Sequence, residues 1–157
     1  MTSEDYVSFR VANVKNVVSG LGAPGAQPIE AEKFVALGED MDAMIFDAAA
    51  VKNIKPLYAE DPAMLDSCRA WRDGEAYLQL AYNAYYTNYE IALINTWFAA
   101  KVAYPDRFED IDMTEITNNV TTAFLGKPLA EEIFACASSF GGYQKIDTAT
   151  FFAEQQG

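Results

Sequence analysis

The sequence predicts an all-α fold: a single-domain helical bundle of about five to six helices around one long central aromatic-rich helix, residues 74–104. Three observations predict it. Tyr77, Tyr82, Tyr85, Tyr86, Tyr89, Trp97, Phe98 and Tyr104 are interleaved with Leu, Ile and Ala on nearly every helical face, the pattern of a helix buried on several sides. Nothing interrupts the pattern between Gly74 and Pro105, and about 30 residues would span roughly 45 Å as a helix. Apolar stripes at helical spacing recur before and after it, separated by capping and stop signals.

Each element follows from local chemistry. Ser3-Glu4-Asp5 reads as a helix start, with Val7, Val11, Val14 and Val17-Val18 recurring at helical spacing and Gly20 and Gly22 as the stop. Residues 21–28 read as a loop. Gly20-x-Gly22-x-x-Gly25, which runs into it, has the letters of a dinucleotide fingerprint, but no strand precedes it, Pro24 removes an amide and Pro28 delays the next helix, so a connecting loop is the better reading. A second helix is expected over 28–51, with Phe34, Leu37, Met41, Met44, Ile45 and Ala48 as its apolar stripe. Gly38 within it marks a close approach or a bend. Asp61-Pro62 opens a helix bearing Met64, Leu65, Cys68 and Trp71, which Gly74 interrupts or bends. Asp112-x-x-Glu115 is a capping box for a helix ending before Gly126. Pro128 starts another, closed by Gly141-Gly142, and Asp147 or Thr148 caps a short last helix carrying Phe151 and Phe152.

Composition narrows the function classes. The chain has 157 residues, 51% of them hydrophobic, with 23 acids against 11 Lys and Arg and a formal charge of −12. No window is rich in Lys or Arg, so nucleic acid and anionic membrane are disfavoured as partners. The run Ile91 to Val102 falls short of a bilayer-spanning length, and an acidic start is unlike a signal peptide, so no membrane insertion and a cytoplasmic location are expected. Two cysteines, Cys68 and Cys136, make no disulfide framework and are expected as reduced thiols. Histidine is absent, which excludes Ser-His and Cys-His nucleophile pairs, imidazole zinc sites and histidine-ligated haem. No cofactor and no metal site is implied.

The expected central helix is the candidate site. Gln79, Asn83, Thr87 and Glu90 would stack as a polar strip on one side of it, and Gln79, Asn83, Tyr86 and Glu90 are the candidate ligand-binding residues. Tyr82, Tyr85, Tyr89 and Trp97 are the candidate interface residues, because tyrosine and tryptophan are enriched where proteins associate. The leading functional expectation is a non-enzymatic interaction or structural subunit that associates through this helix, as a homo-oligomer or with a protein partner. The alternative is a module binding a small hydrophobic ligand. A cofactor-independent enzyme using Glu90 and a tyrosine ranks third.

Arg72-Asp73-x-x-x-Tyr77-Leu78 resembles a stretch of the phycobiliproteins, an all-helical, globin-like family near this length. The resemblance implies that Arg72 and Asp73 hold a tetrapyrrole. The sequence departs from the pattern at Ala70, where the family carries the chromophore-bearing cysteine; the nearest thiol, Cys68, comes two residues too early.

Overall fold

A computed structural model describes residues 2–3, 5–20, 26–83 and 86–154, and the side chains of all of these except 2–3, 26–27 and 153–154. The elements are β1 (Thr2–Ser3), α1 (Val7–Val11), β2 (Ala26–Gln27), α2 (Ala31–Gly38), β3 (Met44–Asp47), α3 (Val51–Glu60), α4 (Ala63–Asp66), α5 (Arg69–Arg72), β4 (Ala76–Gln79), α6 (Tyr89–Ala103), α7 (Met113–Leu125), α8 (Ala130–Ala135), β5 (Gln144–Lys145) and α9 (Phe151–Glu154). Short 3₁₀ turns at Ala48–Ala50, Pro105–Arg107 and Ala137–Ser139 join them.

The fold is mixed α/β, not an all-α bundle. A three-stranded sheet in the order β3-β4-β5 lies within it. β3 and β4 run parallel, with Met44 opposite Ala76, Ile45 opposite Tyr77, Phe46 opposite Leu78 and Asp47 opposite Gln79. β5 closes antiparallel on β4. Side chains on a strand alternate between faces. Phe46 and Leu78 therefore share one face, where they join Trp71, Val51, Leu65, Cys68, Phe151 and Phe152 in the larger apolar cluster. Ile45, Tyr77 and Gln79 take the other face, where the Tyr77 ring lies 6.2 Å from Phe98 of α6. A smaller cluster of Leu80, Ile91 and Ile94, with Met113, Ile116, Val120 and Ile133 packed on it, joins the end of β4 to α6, α7 and α8.

The expected 74–104 helix does not form as one piece. Gly74 takes φ +70° and ends α5, and the Glu75 amide folds back to the Ala70 carbonyl at 2.7 Å. The chain then enters β4, turns through a bridge between Asn83 and Thr87, and becomes helical only at Tyr89. A strand covered on both faces is apolar on both, so 76–80 carries no alternation and reads as part of a buried helix. The same ambiguity applies to α2 and β3: the expected 28–51 helix is α2, a turn, a strand and a 3₁₀ turn. Met41 and Ala48 are core residues, as the stripe required, but from a turn and a 3₁₀ turn, and the strand adds Phe46, which the stripe left out. The first helix is also shorter than expected, because Asn13 takes φ +54° just after α1. Residues 21–25 of the glycine loop lie outside the described residues. The globin-like, all-helical fold implied by the phycobiliprotein resemblance is overturned as well, since Tyr77 and Leu78 lie in β4.

Local signals elsewhere hold. The Asp112 carboxylate accepts from Thr114 N at 2.6 Å and Glu115 N at 3.2 Å, starting α7, and Gly126 ends it at φ +80°. Gly38 is a close approach: a Cβ there would lie 3.1 Å from Cys68 Cα and Sγ. No helix among the described residues is long and apolar enough to cross a membrane.

Candidate functional site

The residues that follow β3 and β4 form the floor of a cleft. Ala48 and Ala49 leave the carboxyl end of β3; Leu80 and Ala81 leave that of β4. Asn88, Glu90 and Ile91 come from the start of α6, Leu125 from the end of α7, Leu129 and Ile133 from α8 and the residue before it, and Ser138, Ser139 and Phe140 from the segment before β5. The cleft holds about 590 Å³, within the size of small-molecule sites generally. Its wall is mainly apolar, with Lys52 of α3 and Glu90 of α6 as its charged members. Neither side chain makes an ion pair or hydrogen bond with a described residue.

Local capping shapes this wall. Thr121 Oγ1 accepts from the Leu129 amide at 3.1 Å and Asn118 Oδ1 from the Ala130 amide at 2.9 Å, so α7 side chains satisfy the orphan donors that open α8. The Thr and Asn residues that weaken α7 as a helix on propensity alone are thus the ones that seat α8 against it.

Behind the cleft lies a buried polar network. Gln79 Nε2 donates to Tyr6 Oη at 2.9 Å. Asn95 Nδ2 donates to the Leu80 carbonyl at 2.9 Å, and the Tyr143 hydroxyl donates to Asn95 Oδ1 at 2.6 Å. Asn95 is wholly buried and Gln79 is 5% exposed, with Gln79 Oε1 lacking a protein partner. Asp47, opposite Gln79 in register, accepts from the Ala49 amide at 2.8 Å. Burial pushes the Asp47 carboxyl up, and that hydrogen bond partly opposes the shift. Burial also pushes the Tyr143 phenol far up, with Tyr6 and Asp47 adding to it. The network fixes the backbone at Leu80, where the cleft floor begins, against α6.

The four candidate ligand residues do not share a helical face. Gln79 is in the buried network, Asn83 and Tyr86 lie on an exposed turn, and Glu90 alone lines the cleft. Tyr86 is 86% exposed. Of the candidate interface residues, Tyr82 packs half-buried against Tyr6 with ring centroids 5.6 Å apart. Tyr89 is 72% exposed and Trp97 sits at the surface beside Phe108. Tyr85 lies outside the described residues. Arg72 and Asp73, the residues of the tetrapyrrole resemblance, are not among those that line the cleft; Arg72 pairs with Glu39 at 2.6 Å.

No protein-family model matches the chain, and a search of curated proteins finds no match.

Sequence reasoning missed Lys52, Asn95, Tyr143 and Asp47. Asn95 carried a usable signal, an amide amid Ile94, Phe98 and Ala99 on a helix apolar all round. The others depend on chain crossings between segments remote in sequence. Among the described residues no group of three or more Cys, Asp or Glu is placed to hold a metal ion.

Proposed function

We propose that the chain is a small-molecule binding module whose ligand lies in the cleft at the carboxyl ends of β3 and β4. The observation that carries this reading is the position of the cleft. In open sheets with parallel strands, ligands bind in the crevice beyond the strands' carboxyl ends, where successive loops diverge and leave space. Here the two residues after each parallel strand, Ala48-Ala49 and Leu80-Ala81, line the same volume. Their small or apolar side chains leave the floor open. Leu125, Ile133 and Phe140 supply apolar walls that would exclude water from a bound molecule.

The test uses a polarity-sensitive fluorescent dye as a probe and a tryptophan that fills the cleft. Leu125 is exposed at the rim, so Leu125→Trp leaves the core intact. The expected result is saturable dye binding that Leu125→Trp weakens at least tenfold and that cleft ligands from a metabolite panel displace. Dye binding unchanged in both Leu125→Trp and Ile133→Trp would overturn the reading.

A second reading rests on a different surface. Tyr86, Tyr89, Leu93 and Trp97 follow one another at spacings of three, four and four residues, and all are exposed. An apolar strip of this kind suits association with a protein partner or a second copy of the chain. Light scattering of the protein and of a Tyr89→Ser/Trp97→Ser variant separates the cases: a concentration-dependent dimer lost in the variant supports association, and a monomer at every concentration with no partner captured through this face argues against it.

A further inference from the structure

We propose that the cleft selects a zwitterionic ligand with an apolar body, the chemistry of an apolar amino acid or a short apolar peptide. This rests on the ligand-binding reading above and adds the ligand's class to it.

Lys52 and Glu90 line the same volume, come from different helices and pair with no described residue. The described ion pairs all lie away from the cleft: Arg69 with Asp42, Arg72 with Glu39 and Lys145 with Glu75, each at 2.6 Å. Lys52 lies in the second turn of a continuous helical run that opens with the 3₁₀ turn Ala48–Ala50 behind the Asp47 cap. A bound carboxylate would receive the Lys52 ammonium. Glu90, in the first turn of α6, would receive an ammonium group, with Asn88 and Ser138 beside them as neutral hydrogen-bonding groups.

Net charge separates a zwitterion from an anion. At −12 the protein repels a free anion at long range, whereas a zwitterion carries no net charge to repel. The same cleft is lined by Leu80, Ile91, Leu129, Ile133 and Phe140, which favour an apolar body. A volume of about 590 Å³ admits an amino acid with room to spare, or a dipeptide of two leucines. An apolar body also removes water from both ion pairs, and pairs shielded from water are stronger than exposed ones.

The experiment is titration calorimetry, with dye displacement in parallel, on the full chain. The probes are L-leucine, L-phenylalanine, 6-aminohexanoate and Leu-Leu, against isoamylamine and 4-methylpentanoate as single-charge analogues. At least one zwitterion is expected to bind tenfold or more tightly than either analogue. Lys52→Met should bring that zwitterion down to the affinity of the amine and leave the amine unchanged. Glu90→Gln should do the converse with the acid. Both side chains face a cleft open to solvent, so neither variant should lose its fold, and circular dichroism checks this. Single-charge or neutral apolar compounds that bind as tightly as every zwitterion overturn the inference while leaving the ligand-binding reading in place. The same holds if zwitterion affinity is unchanged in both variants. Failure of the dye to bind, or indifference to both Leu125→Trp and Ile133→Trp, overturns the ligand-binding reading itself.

Discussion

Replacing Asn95 with alanine is expected to be among the most costly single changes in the chain. The side chain is wholly buried and joins four segments: the residue after β4 through the Leu80 carbonyl, the chain before β5 through the Tyr143 hydroxyl, the residue before α1 through the Tyr6 hydroxyl at 3.4 Å, and its own helix α6. Alanine would strip the Leu80 carbonyl and the Tyr143 hydroxyl of this partner in a place where water cannot easily replace it. A buried polar group left unsatisfied costs about 1–3 kcal/mol, so two of them and a small cavity give about 3–5 kcal/mol. For a domain of this size each kcal/mol lowers Tm by roughly 2–4 °C, which puts the fall near 10–15 °C. Urea unfolding followed by tryptophan fluorescence measures it, since Trp71 is buried in the larger cluster. Tyr143→Phe tests the cause. It removes one half of the Asn95–Tyr143 pair, so the double variant should cost less than the two single variants together, by about 1–2 kcal/mol. Additivity within about 0.5 kcal/mol, or a loss below about 1 kcal/mol for Asn95→Ala, would refute the network as a stabilising unit.

Other consequences can be checked on the same protein. Gly142→Ala should destabilise by about 2–4 kcal/mol in urea unfolding, because φ is +91° and the new Cβ would lie 2.5 Å from Phe134 Cδ1. Native protein should expose one thiol to a colorimetric thiol reagent and a second only on unfolding, since Cys136 is exposed while Cys68 is fully buried and burial pushes its thiol up. Hydrogen bonds from Lys145 and then Tyr77 hold the Glu75 carboxyl below its usual range. Its contribution is present above the unfolded pKa, about 4.3, and is lost as pH falls through the lower folded value, so Glu75→Gln should flatten the acid limb of urea midpoints. Asp47 has the opposite sign, because its folded pKa is raised. The associated stability is greatest below the unfolded value, about 3.9, and is lost as pH rises through the folded one. Asp47→Asn keeps an oxygen for the Ala49 amide and should remove that loss, leaving stability at pH 7 equal or higher.

Lys52 and Glu90 show how the candidate site divides between sequence and structure. Glu90 was identifiable as a carboxylate at the start of an apolar helical run, and it does line the cleft. Its expected companions did not follow, because Gln79 and Asn83 were placed on its helix and instead lie on a strand and a turn. Lys52 is 38 positions from Glu90, and nothing in either neighbourhood announces the other. Their meeting depends on β3 and β4 lying side by side, which delivers α3 and α6 to the same end of the sheet.

What the chain declares by itself is local. Asp112 can cap because its oxygen reaches amides two and three residues on, and Gly74 and Gly126 can stop helices because glycine tolerates a positive φ. The apolar character of 44–48 and 76–80 was equally plain, and both segments are buried or half-buried. Whether they form helix or strand was not a local matter. A helix finds its hydrogen-bond partners four residues away, whereas Met44–Asp47 finds them in Ala76–Gln79, some 30 residues on. Only that long-range pairing decided the secondary structure, and with it the cleft beyond the ends of the two strands.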